Sequence, residues 1–369
     1  MTKNKPVSRL CGILFNFDVS NSRSVKEPRL LFANSRFRGI IISRFYYDTN
    51  EVINMTSIQG LLVGYLLRKN LNTNISNKKH SRSRHCWQKR FFNADRLPDT
   101  FLCNSETTPG GTAFQRVFCK ETTPSDRLIL YFHGGSYIAG LSPVYRNFAP
   151  SLSAAAGGCE VIYLDYRRAP QHLYPEQLTE AMDLWSDLIE RQNYDPKQII
   201  IGGDSAGANL CLALLLKLRD LQKPMPRAAF CLSAWTDMTC STQSFWDNFG
   251  KDVMFGDKGK ILTEERRQEL LLDKTFCFIG DASRTDPYVS PIFGDYHGFP
   301  PMFFAVGSHE MLLDETLEIV KKLEACQVPV TCEIQPGMFH IYVIFARLVP
   351  EGRISYRRLL SFIQNCFSL

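Results

Sequence analysis

The chain has 369 residues, 44% of them apolar, 22% charged and 12% aromatic, enough apolar material for a large core, which excludes a mainly disordered protein. No apolar run reaches the ~18 residues that a membrane-spanning helix requires, so a transmembrane protein is excluded as well. The net charge of +6 is unevenly laid: residues 1–90 carry 17 Lys and Arg against 4 Asp and Glu, whereas residues 91–369 carry 26 against 33.

At the N-terminus a positive tip precedes a short apolar stretch, but Asn16 and Asp18 follow at once and no small-residue cleavage site is present, so a secretory signal is not expected. Residues 55–67 place Ile58, Leu61, Leu62, Tyr65 and Leu66 on one helical face, with Arg68 and Lys69 in the last turn, which predicts a helix packed on the domain, or else one lying on a membrane surface. A basic tract, 70–90, follows it. Next, Ala113–Cys119 reads as an antiparallel edge strand, bracketed by Gly110, Gly111 and Pro124.

From residue 127 short runs rich in aromatic and β-branched residues alternate with longer helical patterns, the rhythm of an α/β protein with a mainly parallel sheet and helices on both faces. The strand candidates are Leu128–Phe132, Glu160–Leu164, 198–201, Ala228–Leu232, 302–306 and 330–334. Leu178, Ala181, Met182, Trp185, Leu188 and Ile189 form one helix face, and Leu313, Leu317, Val320 and Leu323 another. A third helix, from Ser205 through Leu216, is apolar nearly all round, as befits burial against the centre of the sheet. Residues 240–286 break the rhythm and read as an insertion.

The strongest local signal is Gly203-Asp204-Ser205-Ala206-Gly207, where a β-branched strand runs into a helix through a Gly-x-Ser-x-Gly turn. The two glycines permit the tight corner that lifts a serine oxygen clear of the sheet, so Ser205 is the candidate nucleophile. Attack by serine creates an oxyanion, which needs waiting N–H donors. The loop His133-Gly134-Gly135-Ser136 ends an earlier strand, and the N–H groups of Gly134, Gly135 and Ala206 are the expected oxyanion donors. His133 is read as a structural histidine that pins this loop. On this type of elbow the partners follow in the order serine, acid, histidine. Of seven histidines only His340 follows the final strand candidate, which makes it the candidate base. The acid is expected after the preceding strand: Glu310 is favoured for its place just beyond the strand end, and Asp314, one helical turn on, is the alternative.

Together these residues resemble the hormone-sensitive-lipase family of α/β-hydrolase carboxylesterases, over a region from about Met55 to the C-terminus. Further matching pieces are Asp165-Tyr-Arg-Arg-Ala-Pro170-Gln-His172-Leu-Tyr-Pro175, Ser233-Ala-Trp-Thr-Asp237 and Asp286-Pro-Tyr-Val-Ser-Pro291. The resemblance implies an α/β-hydrolase domain at 55–369 whose helical cap comes from about 55–97 and 240–286. It implies hydrolysis of short- to medium-chain acyl esters through an acyl-enzyme, with Asp204 and His133 in supporting places. Three departures stand out: Ser136 replaces the usual third glycine, Arg168 and Gln171 stand where leucine and glutamate are commoner, and Glu310 sits where many members have aspartate. Residues 1–54 match nothing in the family and read as a dispensable extension.

No metal site, dinucleotide fingerprint or phosphate loop is present in the sequence, so no cofactor is expected. The expected partner is a small-molecule ester, with a homodimer as the only protein assembly in view, and neither nucleic acid nor a transmembrane segment. The twelve cysteines lack the two-residue spacing of zinc or redox motifs, and several lie in apolar runs, which points to reduced thiols and a cytoplasmic location. The rival functions are a non-catalytic small-molecule receptor on the same fold, against which His340 argues, and a nucleic-acid or membrane role for the basic front.

Overall fold

Strands of continuously apolar residues that must bury both faces build the centre of the molecule. In this computed structural model the described residues are 44–45, 56–71, 97–122 and 125–368. The strands are β1 (Arg44–Phe45), β2 (Phe101–Thr107), β3 (Ala113–Cys119), β4 (Leu128–Phe132), β5 (Glu160–Leu164), β6 (Ile199–Asp204), β7 (Ala228–Leu232), β8 (Met302–Gly307) and β9 (Val330–Gln335). They form one sheet in the order β1-β9-β8-β7-β6-β4-β5-β3-β2. It is parallel from β1 to β5, and β3 and β2 are added antiparallel.

The helices are α1 (Ile58–Leu71), α2 (Ala149–Ala155), α3 (Glu176–Ser186), α4 (Ala206–Asp220), α5 (Gln243–Asp247), α6 (Glu264–Leu271), α7 (Leu313–Ala325) and α8 (Pro350–Ser368). Side chains alternate across a strand, so Leu128, Leu130 and Phe132 face a core shared with α3, α4 and α7. Ile129 and Tyr131 face the opposite core, shared with α1, α2 and α8. Both faces are thus covered, which is why the central strands are apolar throughout rather than alternating with polar residues.

Three expectations change. Ala113–Cys119 is antiparallel as expected but is not the edge, because β2 lies outside it. That strand, Phe-Leu-Cys-Asn-Ser-Glu-Thr, is half-exposed along its length, as an edge tolerates, and so lacks the apolar run that marks its neighbours. The helix expected at 55–67 is present as α1, but it packs by the other face. Val63 and Leu67 are buried, whereas Ile58 is 82% exposed and Leu61, Leu62 and Tyr65 are also exposed. Glycine decides the seating: a Cβ at Gly60 would lie 3.0 Å from Met338 Cε, and one at Gly64 3.7 Å from Phe339. The small face approaches closely and the bulky one is left outward. Finally, α8 was not among the helices read from the sequence.

The insertion at 240–286 folds as α5, α6 and a 3-10 turn, Lys274–Ile279, around a small core in which Cys240, Phe245, Phe249 and Leu262 meet Met311 from the loop after β8. Of the basic front, all but Arg44–Phe45 and 56–71 lies outside the described residues, as does most of the segment 72–97 expected to complete the cap.

Candidate active site

The loops that leave the carboxyl ends of β4, β6, β8 and β9 meet above the centre of the sheet. Ser205 directly follows β6 and holds φ 52°, ψ −118°, a sparsely populated conformation that a non-glycine residue adopts only under constraint. The constraint comes from its neighbours. A Cβ at Gly203 would sit 2.5 Å from the Gly207 carbonyl, and one at Gly207 2.0 Å from the Phe132 oxygen. Strand and helix therefore cross at backbone contact, and the serine stands at the apex over the N-terminus of α4. Its N–H donates to Leu232 O (2.9 Å) and its carbonyl accepts from Trp235 N–H (3.3 Å).

His340 Nε2 lies 3.0 Å from Ser205 Oγ, and its Nδ1 lies 2.9 Å from Glu310 Oε2. All three residues are buried, Glu310 completely. The other carboxylate oxygen, Oε1, accepts from Ser233 Oγ (2.8 Å) and from Gly307 N–H (2.5 Å). Burial pushes the Glu310 carboxyl above its ordinary range, and the bonds from His340, Gly307 and Ser233 pull it back. Asp314 is not part of this group. Its Oδ2 accepts from Ser244 N–H (2.6 Å), and its own N–H donates to Ser244 Oγ (2.9 Å), a reciprocal clasp between the first turns of α7 and α5.

The oxyanion expectation needs one correction. Gly134 N–H donates to Asp204 Oδ1 (3.0 Å) and the Tyr145 hydroxyl oxygen (3.1 Å), so it points under the loop. Asp204 is buried, and without such donors its carboxylate would lie unsolvated among aromatic rings. It also accepts from Tyr131 (2.9 Å) and Tyr145 (3.1 Å), and burial still pushes its carboxyl up to about 6. After Gly134 the loop turns back through Gly135 (φ 120°) and Ser136 (φ 54°). No acceptor among the described residues takes the N–H of either residue. His133 lies beneath: its ring stacks on Tyr166 at 4.2 Å, its Nδ1 is 2.8 Å from Gly134 O, and burial pushes its pKa down to about 4. It is therefore neutral at pH 7 and donates its Nδ1–H to the Gly134 carbonyl.

Three further residues belong to the site: Ser233, which the sequence offered only as the start of a matching piece with no role, and Phe255 and Asp252, which were not singled out from the sequence. The Phe255 ring packs on the His340 imidazole with centroids 4.6 Å apart. Asp252, fully buried, accepts from Met254 N–H (2.8 Å), Phe255 N–H (3.0 Å) and Met311 N–H (3.0 Å). One carboxylate thus joins the insertion to the loop that carries Glu310. Arg68 of α1 adds to the junction by donating to the carbonyls of Lys251 (2.6 Å) and Asp252 (3.2 Å). These contacts span up to 184 positions, beyond any local sequence pattern.

Among the described residues one other group brings possible metal ligands together, Asp295, His297 and Cys326, within 4.8 Å of one another. It lies before β8 and just past α7, at the amino ends of the strands and so at the opposite end of the sheet from Ser205.

A strained serine corner over a helix N-terminus, an imidazole and a carboxylate in line, and free N–H groups in an adjacent loop define the hydrolases of this architecture. Residues 129–344, more than half of the chain, match the family model described as alpha/beta hydrolase fold, and the chain belongs to that family. Its relatives are esterases. An acetyl-hydrolase of Streptomyces hygroscopicus is 34% identical over 227 residues, 62% of this chain and 72% of that protein. An esterase of Acinetobacter venetianus is 33% identical over 234 residues, 63% and 73%. A crystal structure of an esterase from the bacterial hormone-sensitive lipase family superposes with a TM-score of 0.72 at 27% identity, covering 85% of this chain and 99% of that one. The resemblance read from the motifs thus holds, and the chain is of the esterase class on the α/β-hydrolase fold.

Proposed function

We propose that this protein hydrolyses carboxylic esters of short- to medium-chain acids through an acyl-enzyme formed on Ser205. The carrying observation is the imidazole of His340, set 3.0 Å from the serine oxygen and 2.9 Å from a fully buried carboxylate. His340 Nε2 takes the Ser205 proton as Oγ attacks the ester carbonyl, then delivers it to the departing alcohol. A water molecule repeats the sequence and releases the acid. Glu310 holds the Nδ1–H tautomer and stabilises the imidazolium. The oxyanion is received by the N–H groups of Gly135, Ser136 and Ala206, because Gly134 is committed to Asp204. A receptor would have no use for this aligned serine, imidazole and carboxylate.

Acyl size is governed by the cap, built from about 55–97 and 240–286. The insertion supplies Phe255 against His340, and Phe276 and Phe278 against Trp235 at 5.2 and 5.7 Å. Residues 1–54 are an extension that the reaction does not require, although Arg44–Phe45 within it adds to the sheet beside β9. Ten cysteines among the described residues are unpaired, which supports a reducing, cytoplasmic setting.

The test is Ser205→Ala assayed on a 4-nitrophenyl ester panel from acetyl to dodecanoyl. Turnover should fall on the order of 10⁴-fold or more with the fold intact, and the intact protein should prefer the shorter chains. Activity near that of the unaltered protein would remove Ser205 from the mechanism.

A further inference from the structure

Two non-glycine residues beside the site hold left-handed backbone conformations and are tied to each other. Ser233, the first residue past β7, has φ 48°, and Ile341, next to His340, has φ 53° and ψ 29°. For a β-branched residue such as isoleucine this is an outlier that persists only where the surroundings impose it. The imposing bond is Ile341 N–H donating to Ser233 Oγ at 2.9 Å. The same hydroxyl donates its own proton to Glu310 Oε1 at 2.8 Å. Ser233 is itself anchored, its N–H donating to Ala305 O of β8 at 2.7 Å, and it is completely buried.

We propose that Ser233 is a positioning residue that fixes the acid and the base relative to one another with one hydroxyl. This rests on the reading of Ser205, His340 and Glu310 as the reacting group. As a donor the hydroxyl engages Oε1 and leaves Oε2 free to face the imidazole. As an acceptor it holds the backbone turn that aims the His340 side chain at Ser205. The hydroxyl serves both tasks because one lone pair and one proton point to opposite partners. Backbone amides alone do not replace it: Gly307 N–H reaches the carboxylate but not the turn after His340.

The test is a double-mutant cycle of Ser233→Ala and Glu310→Gln on 4-nitrophenyl butyrate, with active sites counted by stoichiometric labelling with a serine-directed phosphonate. In the otherwise unaltered protein Ser233→Ala should lower kcat per labelled site on the order of 10- to 100-fold with KM unchanged. In the Glu310→Gln background the same substitution should cost at least about threefold less than in the otherwise unaltered protein, because the part of the effect that runs through the carboxylate is already lost and only the hold on the Ile341 turn remains. Ser233→Cys keeps the atom's place and weakens both bonds, so it should show a smaller fall of the same kind, and it serves the cycle if the alanine variant does not fold. A kcat per site within twofold of the unaltered protein, or an equal loss in both backgrounds, overturns the proposal. Retained activity in Ser205→Ala would instead overturn the reading beneath it.

Discussion

Asp204 adjoins Ser205 in the chain, yet its carboxylate turns away from it, toward the hydroxyls of Tyr131 and Tyr145 and the N–H of Gly134. A glycine is required at 134, since a Cβ there would meet Asp204 Oδ2 at 2.3 Å. Burial raises this carboxyl from 3.8 to about 6, so between those values the folded protein binds more protons than the unfolded chain. Stability from this group therefore falls as pH rises through that window, by on the order of 3 kcal/mol in all. Denaturant unfolding of the unaltered protein and of Asp204→Asn should show a difference in stability that is more favourable to the aspartate at pH 4 than at pH 7. A difference that does not change with pH would reject this account of the site. The two candidate acids separate at the same scale. Glu310→Gln should cost on the order of 10³-fold or more in kcat, since the amide cannot stabilise an imidazolium. Asp314→Asn should leave kcat within severalfold and cost about 1 kcal/mol of stability through the Ser244 clasp. The reverse order in a steady-state assay would exchange their roles.

At the level of elements, the crossing of β6 and α4 and the seating of α1 both depend on missing side chains. Gly207→Ala would drive a Cβ into the Phe132 carbonyl at 2.0 Å, backbone against backbone with no flexible partner to give way. The expected outcome is at least about 2 kcal/mol lost in denaturant unfolding, together with loss of esterase activity as the serine corner opens. The insertion is fastened as firmly. Asp252→Ala would strand the buried N–H of Met311 and the part-buried N–H groups of Met254 and Phe255, at roughly 2 kcal/mol or more. It should also lower kcat, because the turn that holds Phe255 on His340 and the loop that carries Glu310 lose their common anchor. Unchanged melting of Asp252→Ala would show that water replaces the carboxylate and that the junction is not structural.

For the molecule as a whole, the basic front and the acidic body have different standing. Residues 1–54 contribute 9 Lys and Arg against 4 Asp and Glu, and the two of them that are described, Arg44–Phe45, add a two-residue strand parallel to β9 at the outer side of the sheet. Because that strand lies at the outer side of the sheet, a chain beginning at Met55 should be soluble and retain esterase activity per labelled site within about twofold; an insoluble or inactive product would make the extension part of the enzyme. With it removed, the formal charge falls from +6 to +1, so the charge first met in the sequence belongs mainly to the front.

The sheet from β4 to β8 was legible because its strands are buried on both faces and so carry nearly uninterrupted apolar runs, β9 by its β-branched residues Val330, Thr331 and Ile334, and the elbow because Gly-x-Ser-x-Gly reports a backbone strain that is local to five residues. Ser205, His340 and Glu310 could be nominated from chain order for the same reason: each lies just past the end of a legible strand. What the tertiary structure alone decided concerns direction and distance. Whether Gly134 N–H points to substrate or to Asp204 depends on a buried carboxylate 70 positions away. Which face of α1 is inward depends on Met338 and Phe339 meeting its glycines, not on the apolar periodicity of the helix itself. The placing of Ser233 between Glu310 and Ile341 spans 77 and 108 positions. Burial patterns and backbone strain are written into neighbouring residues, whereas hydrogen bonds that select one orientation are made between segments that meet only after the sheet has formed.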